Sequence, residues 1–161
     1  LGAYTGFLLS ALISYPMLNN PVLPALFLAS GTSSGIAATF LFILIAGKLK
    51  GDSHESHFIH KFEVPIMVTE LGLLVCFFVG LYFGGGQKVV ALQNALSGFW
   101  GAVFWIGVFL IGILIPLLAN LAVKDNLKYN KNFIILVSIF DLIGVLCLRY
   151  FILYAGQLTV A

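Results

Sequence analysis

The chain has 161 residues, 61% of them hydrophobic and 9% charged, with a formal net charge of +2 and a mean hydropathy of +1.09. Soluble domains carry about a quarter charged residues, so this composition excludes a soluble globular enzyme and predicts an all-α polytopic membrane protein of about five transmembrane helices. So small a net charge makes no case for nucleic acid, and helix association must rest on close packing, small residues and interhelical hydrogen bonds.

Residues 1–14 are apolar with a helical pattern, but they rise only about 21 Å against the roughly 30 Å of a bilayer core. With Leu1 in place of an initiator Met, the expectation is a truncated first helix in the later part of a longer protein; an uncut short helix is the alternative. Tyr15 to Pro24 holds Pro16, Asn19, Asn20, Pro21 and Pro24, a turn that closes one helix and opens the next. A second helix is expected at 23–47. Its run Ser30-Gly31-Thr32-Ser33-Ser34-Gly35, near mid-membrane, suits close approach by another helix or by a ligand.

Lys48 to Lys61 is polar and contains all three histidines, His54, His57 and His60. No cysteine or carboxylate pair completes a ligand set around them, so a solvated loop is expected and no metal site. The third helix, at about 61–84, carries Glu63 and Glu70 at i and i+7, hence on one face. Pro65 in its first turns is expected to tilt or kink it. Glu70 lies roughly 12 Å inside the apolar run, where a charge costs on the order of 2.5 kcal/mol or more and marks a functional candidate.

Gly84-Gly85-Gly86 ends this helix, and Gln87 to Ser97 is expected to be a connector along the interface. A fourth helix at about 98–123 opens with Trp100 and Trp105, placed as an aromatic belt would place them. The fifth, at about 132–155, carries Asp141, Arg149, Tyr150 and Tyr154, with Gln157 just beyond. Asp141 falls about 13 Å from the lysine-rich side, in the layer of Glu70. Arg149 lies toward the opposite face, where it can snorkel to water, pair with an acid or meet a ligand. Cys76 and Cys147 sit inside apolar helices without metal-ligand spacing and read as packing residues. Lys48, Lys50, Lys61, Lys124, Lys128 and Lys131 share one side and Lys88 the other, so the first side is expected to be cytoplasmic and the C-terminus periplasmic.

The histidines precede the apolar part of the third helix, which argues against axial haem ligands there, and no cysteine cluster for iron and sulfur, Gly-rich phosphate loop or serine triad is present. Tyr, Glu, Asp and Arg at depth can hydrogen-bond a quinone head group, pass protons or hold helices together.

The runs Gly2-Ala3-Tyr4-Thr5-Gly6-Phe7-Leu8-Leu9, Ser14-Tyr15-Pro16, Asn19-Asn20-Pro21, Leu23-Pro24 and Leu28-Ala29-Ser30-Gly31 resemble the NrfD, or polysulfide-reductase membrane-subunit, family. The pattern closes with Leu148-Arg149 and Leu153-Tyr154-Ala155-Gly156-Gln157-Leu158-Thr159-Val160-Ala161. The resemblance covers the whole chain but only about the second half of a family member. It implies a quinol dehydrogenase subunit of the bacterial inner membrane, with quinol as substrate, no bound metal or haem of its own, and membrane lipid around it. Electrons would pass to a periplasmic iron-sulfur subunit and, in the NrfD branch, to a multihaem cytochrome nitrite reductase; nitrite itself would not bind here.

The family's quinone pocket lies near the periplasmic face and involves a tyrosine, for which Tyr4 is the match. On this reading Tyr4 and Arg149 lie near the quinone, while Glu70 and Asp141 handle protons; part of the pocket belongs to helices this chain lacks. Two rival readings stay open: a proton- or ion-conducting subunit built on the Glu70 and Asp141 layer, and a structural anchor for a periplasmic redox complex.

Overall fold

Among the described residues four stretches, Leu23–Ile45, Lys61–Phe83, Gly98–Ala122 and Lys131–Gln157, are long and apolar enough to cross a bilayer. Even the 23-residue stretches rise about 35 Å, more than a hydrocarbon core. The chain is a multi-pass membrane protein. A computed structural model describes residues 2–15, 17–47, 54–122 and 130–157, and among these it contains helices and no strand. In chain order they are α1 (Gly2–Ser10), α2 (Leu23–Ile45), α3 (His54–Phe83), α4 (Gln87–Leu96), α5 (Gly98–Ala122) and α6 (Lys131–Gln157). Pro16, Lys48, Lys50, Lys124, Lys128 and residues 158–161 lie outside the described residues, as do the side chains of His54, His57 and His60.

The nine residues of α1 rise about 14 Å, half a bilayer. Its Gly6 lies against α2: a Cβ there would stand 2.5 Å from Pro24 Cα, so only glycine fits. Pro24 sits in the first turn of α2, where its missing N–H leaves no helical bond unmade. The loop between these helices is tied to its neighbours by polar bonds. Asn20 Nδ2 donates to the Phe77 carbonyl of α3 at 3.1 Å, and its Oδ1 accepts from the Val22 N–H at 3.1 Å. From α4, Lys88 Nζ donates to the Asn19 carbonyl at 3.1 Å.

Three segments differ from the sequence reading. α3 begins at His54 rather than near Lys61, because residues 54–60 contain neither Gly nor Pro to stop a helix and it continues beyond the apolar span. It also continues through Pro65. The connector after the glycine triplet is itself a helix, α4, whose Ala91 and Ala95, one turn apart, are buried in the core. α5 is wound as a π-helix over Val103–Leu114, ending just before Pro116, which has no N–H to return to the Gly112 carbonyl.

α5 and α6 make the closest helix contact. A Cβ on Gly107 would stand 3.0 Å from Cys147 Sγ, and one on Gly112 would stand 2.7 Å from Gly144 Cα. Cys147 is therefore a packing residue, as expected. Cys76 is not: it is exposed on the outer surface of α3, away from the inward face that carries Leu74 and Phe77. The apolar core divides in two. A large cluster that includes Leu23, Phe27, Phe77, Leu81, Phe104 and Phe151 occupies the end nearer the proline loop. A small one, Phe40, Leu44 and Ile134, lies nearer Lys131.

Candidate functional site

Between the two apolar clusters the inward faces turn polar. On α2 the buried positions Ser30, Ser33, Ala37, Phe40 and Leu44 recur at three and four residues. On α3 they are Glu63, Met67, Glu70, Leu74, Phe77 and Leu81, and on α6 Ile134, Val137, Ser138, Asp141 and Gly144. Each is one helical stripe, and where the stripes cross, hydroxyls and carboxyls stand in place of hydrocarbon.

They meet at Ser33. Its hydroxyl lies 2.9 Å from Asp141 Oδ2 and 3.1 Å from Oδ1, donating to a carboxylate on a helix 108 residues away in sequence. Glu70 lies beside the same hydroxyl and within reach of the Asp141 charge. Glu63, two turns nearer the lysine-rich end, acts on Asp141 as well. All three carboxyls are buried, Asp141 to 2% exposure. Glu70 and Asp141 thus stand at a shared depth, with Ser33 bonded to Asp141 and close to Glu70.

Arg149 lies eight residues past Asp141 on α6, about 12 Å along the axis. Its guanidinium carbon stands 5.6 Å from the centroid of the Phe27 ring, a cation–π distance. One terminal nitrogen is 3.6 Å from where a Cβ on Gly31 would be, so the glycine leaves room for the group. Arg149 Nε is buried and has no hydrogen-bond partner among the described residues. Helical side chains lean toward the N-terminus, which aims this one from the proline-loop end toward the carboxyl layer.

The neighbouring tyrosines do not join it. Tyr154 stacks on Trp100 with centroids 6.1 Å apart and an 8° interplanar angle, and Tyr150 lies 4.5 Å from Tyr154. Both are about half exposed on the outer face. Tyr4 is 68% exposed on α1; neither a hydrogen bond nor a ring contact links it to Arg149 or to the acids. Separately, an apolar cavity of about 270 Å³ lies between α3 and α5, with Leu71, Leu74, Phe78, Phe104, Trp105 and Phe109 in its wall. Among the described residues no group of three or more His, Cys, Asp or Glu side chains is arranged to hold a metal ion.

The family model described as "Polysulphide reductase, NrfD" matches residues 1–161. The chain belongs to the NrfD family. Its sequence is 89% identical over 161 residues to "Protein NrfD homolog" of Haemophilus influenzae, covering 100% of this chain and 50% of that protein. It is 51% identical over 162 residues to "Protein NrfD" of Escherichia coli, covering 100% and 50%. To the C subunit of polysulfide reductase from Wolinella succinogenes it is 43% identical over 159 residues, covering 97% and 50%. The chain spans about half the length of these curated relatives. No solved structure matches it.

In this NrfD-family chain the four residues singled out from sequence separate into three places. Glu70 and Asp141 come together, Arg149 stands two turns away behind Gly31, and Tyr4 lies on an outer face. Two residues escaped the sequence reading. Ser33 sits in a small-residue run that signals packing, and its role shows only when Asp141 is placed beside it. Asn120, near the end of α5, is buried to 1% exposure with both amide atoms unpartnered among the described residues. Its signal was a lone amide in an apolar span, close enough to Lys124 to pass for an interfacial residue.

Proposed function

We propose that the chain forms part of an integral membrane quinol dehydrogenase subunit, in the bacterial inner membrane with its C-terminus periplasmic. It would pass electrons from the quinol pool to a periplasmic iron-sulfur partner and onward to a multihaem nitrite reductase. The observation that carries this reading is Arg149. An arginine inside a membrane span is a functional candidate, and its buried Nε retains an unused donor. Its guanidinium lies over the Phe27 ring and beside Gly31, whose lack of a side chain leaves room for it. A fixed donor of this kind can hold an oxygen acceptor of a planar ring.

In this reading Arg149 holds a ring oxygen and orients the head group. Oxidation of a quinol releases two electrons and two protons; the electrons go to the iron-sulfur centre of the partner. Tyr4, exposed on α1, would contribute from a second wall. Glu70 and Asp141 provide carboxylates for proton traffic. The apolar cavity at Leu74 and Phe104 offers hydrocarbon surroundings for a prenyl tail. The higher identity to proteins named NrfD than to the polysulfide reductase subunit favours the nitrite-reducing branch.

The test is quinol-driven reduction of the iron-sulfur partner in membranes. Arg149→Gln is expected to lower the rate by about tenfold or more, the equivalent of about 1.4 kcal/mol in the barrier, with chain abundance unchanged. An unchanged rate would leave this bundle as a structural anchor.

A further inference from the structure

The cavity between α3 and α5 owes its shape to the winding of α5. In an α-helix, residues five apart in sequence lie about 140° apart around the axis. In a π-helix the hydrogen bonds span five residues, so such pairs share a side. Two pairs within Val103–Leu114 do so. Gly107 and Gly112 both face α6, against Cys147 and Gly144. Phe104 and Phe109 both line the cavity, and Trp105 stands with them, its ring 5.6 Å from that of Phe109. The same winding thus packs α5 on α6 and leaves an aromatic recess toward α3.

The recess has a floor and a mouth. Leu74 and Phe104 are buried in the large apolar cluster, with the Phe78 ring edge-on to Phe104 at 4.8 Å. Val75, Val79 and Trp105 line it as well and are exposed, and Leu96 of α4 adds to the wall. Among the lining side chains only the Trp105 indole carries a polar atom. Counted from Phe83, where the span ends, Val79 lies about 6 Å and Leu71 about 18 Å along α3. Half of a hydrocarbon core is about 15 Å thick, so the cavity sits at the depth of the acyl chains in the leaflet on the proline-loop side.

An apolar void of about 150 Å³ stays dry and admits benzene, and this one, at about 270 Å³, is larger. Atoms that line a void have no partners across it and forfeit those contacts. Whatever restores them must be hydrocarbon, must reach the mouth from within the membrane and must abound there. Bilayer lipid meets all three conditions. We propose that the cavity is a lipid site that seats one acyl chain of a phospholipid from the proline-loop leaflet. The chain lies against Leu74 and Phe104, flanked by the rings of Phe78 and Phe109, and passes out between Val79 and Trp105. A prenyl tail would use these walls only by displacing it. The site goes beyond the quinol reading and does not depend on it.

The full chain carrying Trp100→Phe, which leaves Trp105 as its one tryptophan, is purified in detergent. It is titrated with phosphatidylcholine bearing a dibrominated acyl chain, since bromine quenches indole emission on contact. Quenching is expected to saturate, and unbrominated phosphatidylcholine to reverse it. Val79→Phe narrows the mouth and is expected to weaken this binding by about tenfold, or about 1.4 kcal/mol. Leu146→Phe, on the exposed face of α6, is expected to leave it unchanged. Should Val79→Phe fail to fold, Val75→Phe at the same mouth decides. The proposal is overturned if quenching rises with lipid without saturating, or if a folded mouth variant binds as the unaltered chain does. It is equally overturned if solanesol, a free prenyl chain, reverses the quenching at lower concentration than phosphatidylcholine, which would make the cavity a prenyl site.

Discussion

Gly112 of α5 and Gly144 of α6 meet with no side chain between them: a methyl group on Gly112 would stand 2.7 Å from the Gly144 Cα. Carbon atoms in ordinary contact are about 3.5–4.0 Å apart, so the two backbones are as near as they can come. Gly144→Ala is expected to force the helices apart at a cost of about 1–3 kcal/mol. Gly35 of α2 is the control, because a Cβ there meets nothing within 4 Å. Gly35→Ala should stabilise by up to about 1 kcal/mol through helix propensity alone. Unfolding of both variants in mixed detergent would check this pair.

The Ser33–Asp141 bond holds α2 to α6 within the span. Hydrogen bonds between membrane helices average about 0.6 kcal/mol and reach about 1.7, so Ser33→Ala should cost an amount in that range. Ser33→Thr keeps the hydroxyl and should cost less, and the same unfolding measurement separates the two.

Asn20 makes two bonds, to the Phe77 carbonyl and from the Val22 N–H. At about 0.5–1.5 kcal/mol each, their loss in Asn20→Ala should destabilise the chain by about 1–3 kcal/mol. Amide hydrogen exchange should rise at residues 17–22 while the middle of α6 stays protected.

Gly31 is expected to act through Arg149. Its Cβ position is 3.6 Å from the guanidinium, an ordinary contact, so Gly31→Ala should be tolerated. Gly31→Leu occupies the space and should reduce quinol-driven electron transfer by about tenfold, as Arg149→Gln does, an effect of about 1.4 kcal/mol. Rates normalised to chain abundance would show whether the two variants fall together.

The sequence was informative along each helix axis and poor about rotation around it. The i, i+7 spacing of Glu63 and Glu70 put them on one face, and counting from the lysine loops put Glu70 and Asp141 at one depth; both now meet at Ser33. A helix that is apolar nearly all round carries little amphipathic signal, so nothing told which residues faced a neighbour and which faced lipid. Cys76 was for that reason read inward and lies outward. Tyr150 and Tyr154 were counted with Asp141 and Arg149, yet they stack with Trp100 on the outside. Asn120, a single amide near the end of an apolar span, carried no sequence reading, and only tertiary packing reveals it as buried. The winding of α5 had no signal beyond Pro116.

The central claim is that Arg149, set over Phe27 and beside Gly31, holds a quinol head group. The direct test is titration with a quinol analogue, followed by quenching of Trp100 and Trp105 fluorescence, in the chain and in a form carried to the full length of its relatives. Saturable quenching is expected in the longer form, weakened by about tenfold in Arg149→Gln, or about 1.4 kcal/mol of binding free energy. Quenching that does not saturate, or that is the same with and without Arg149, would contradict it.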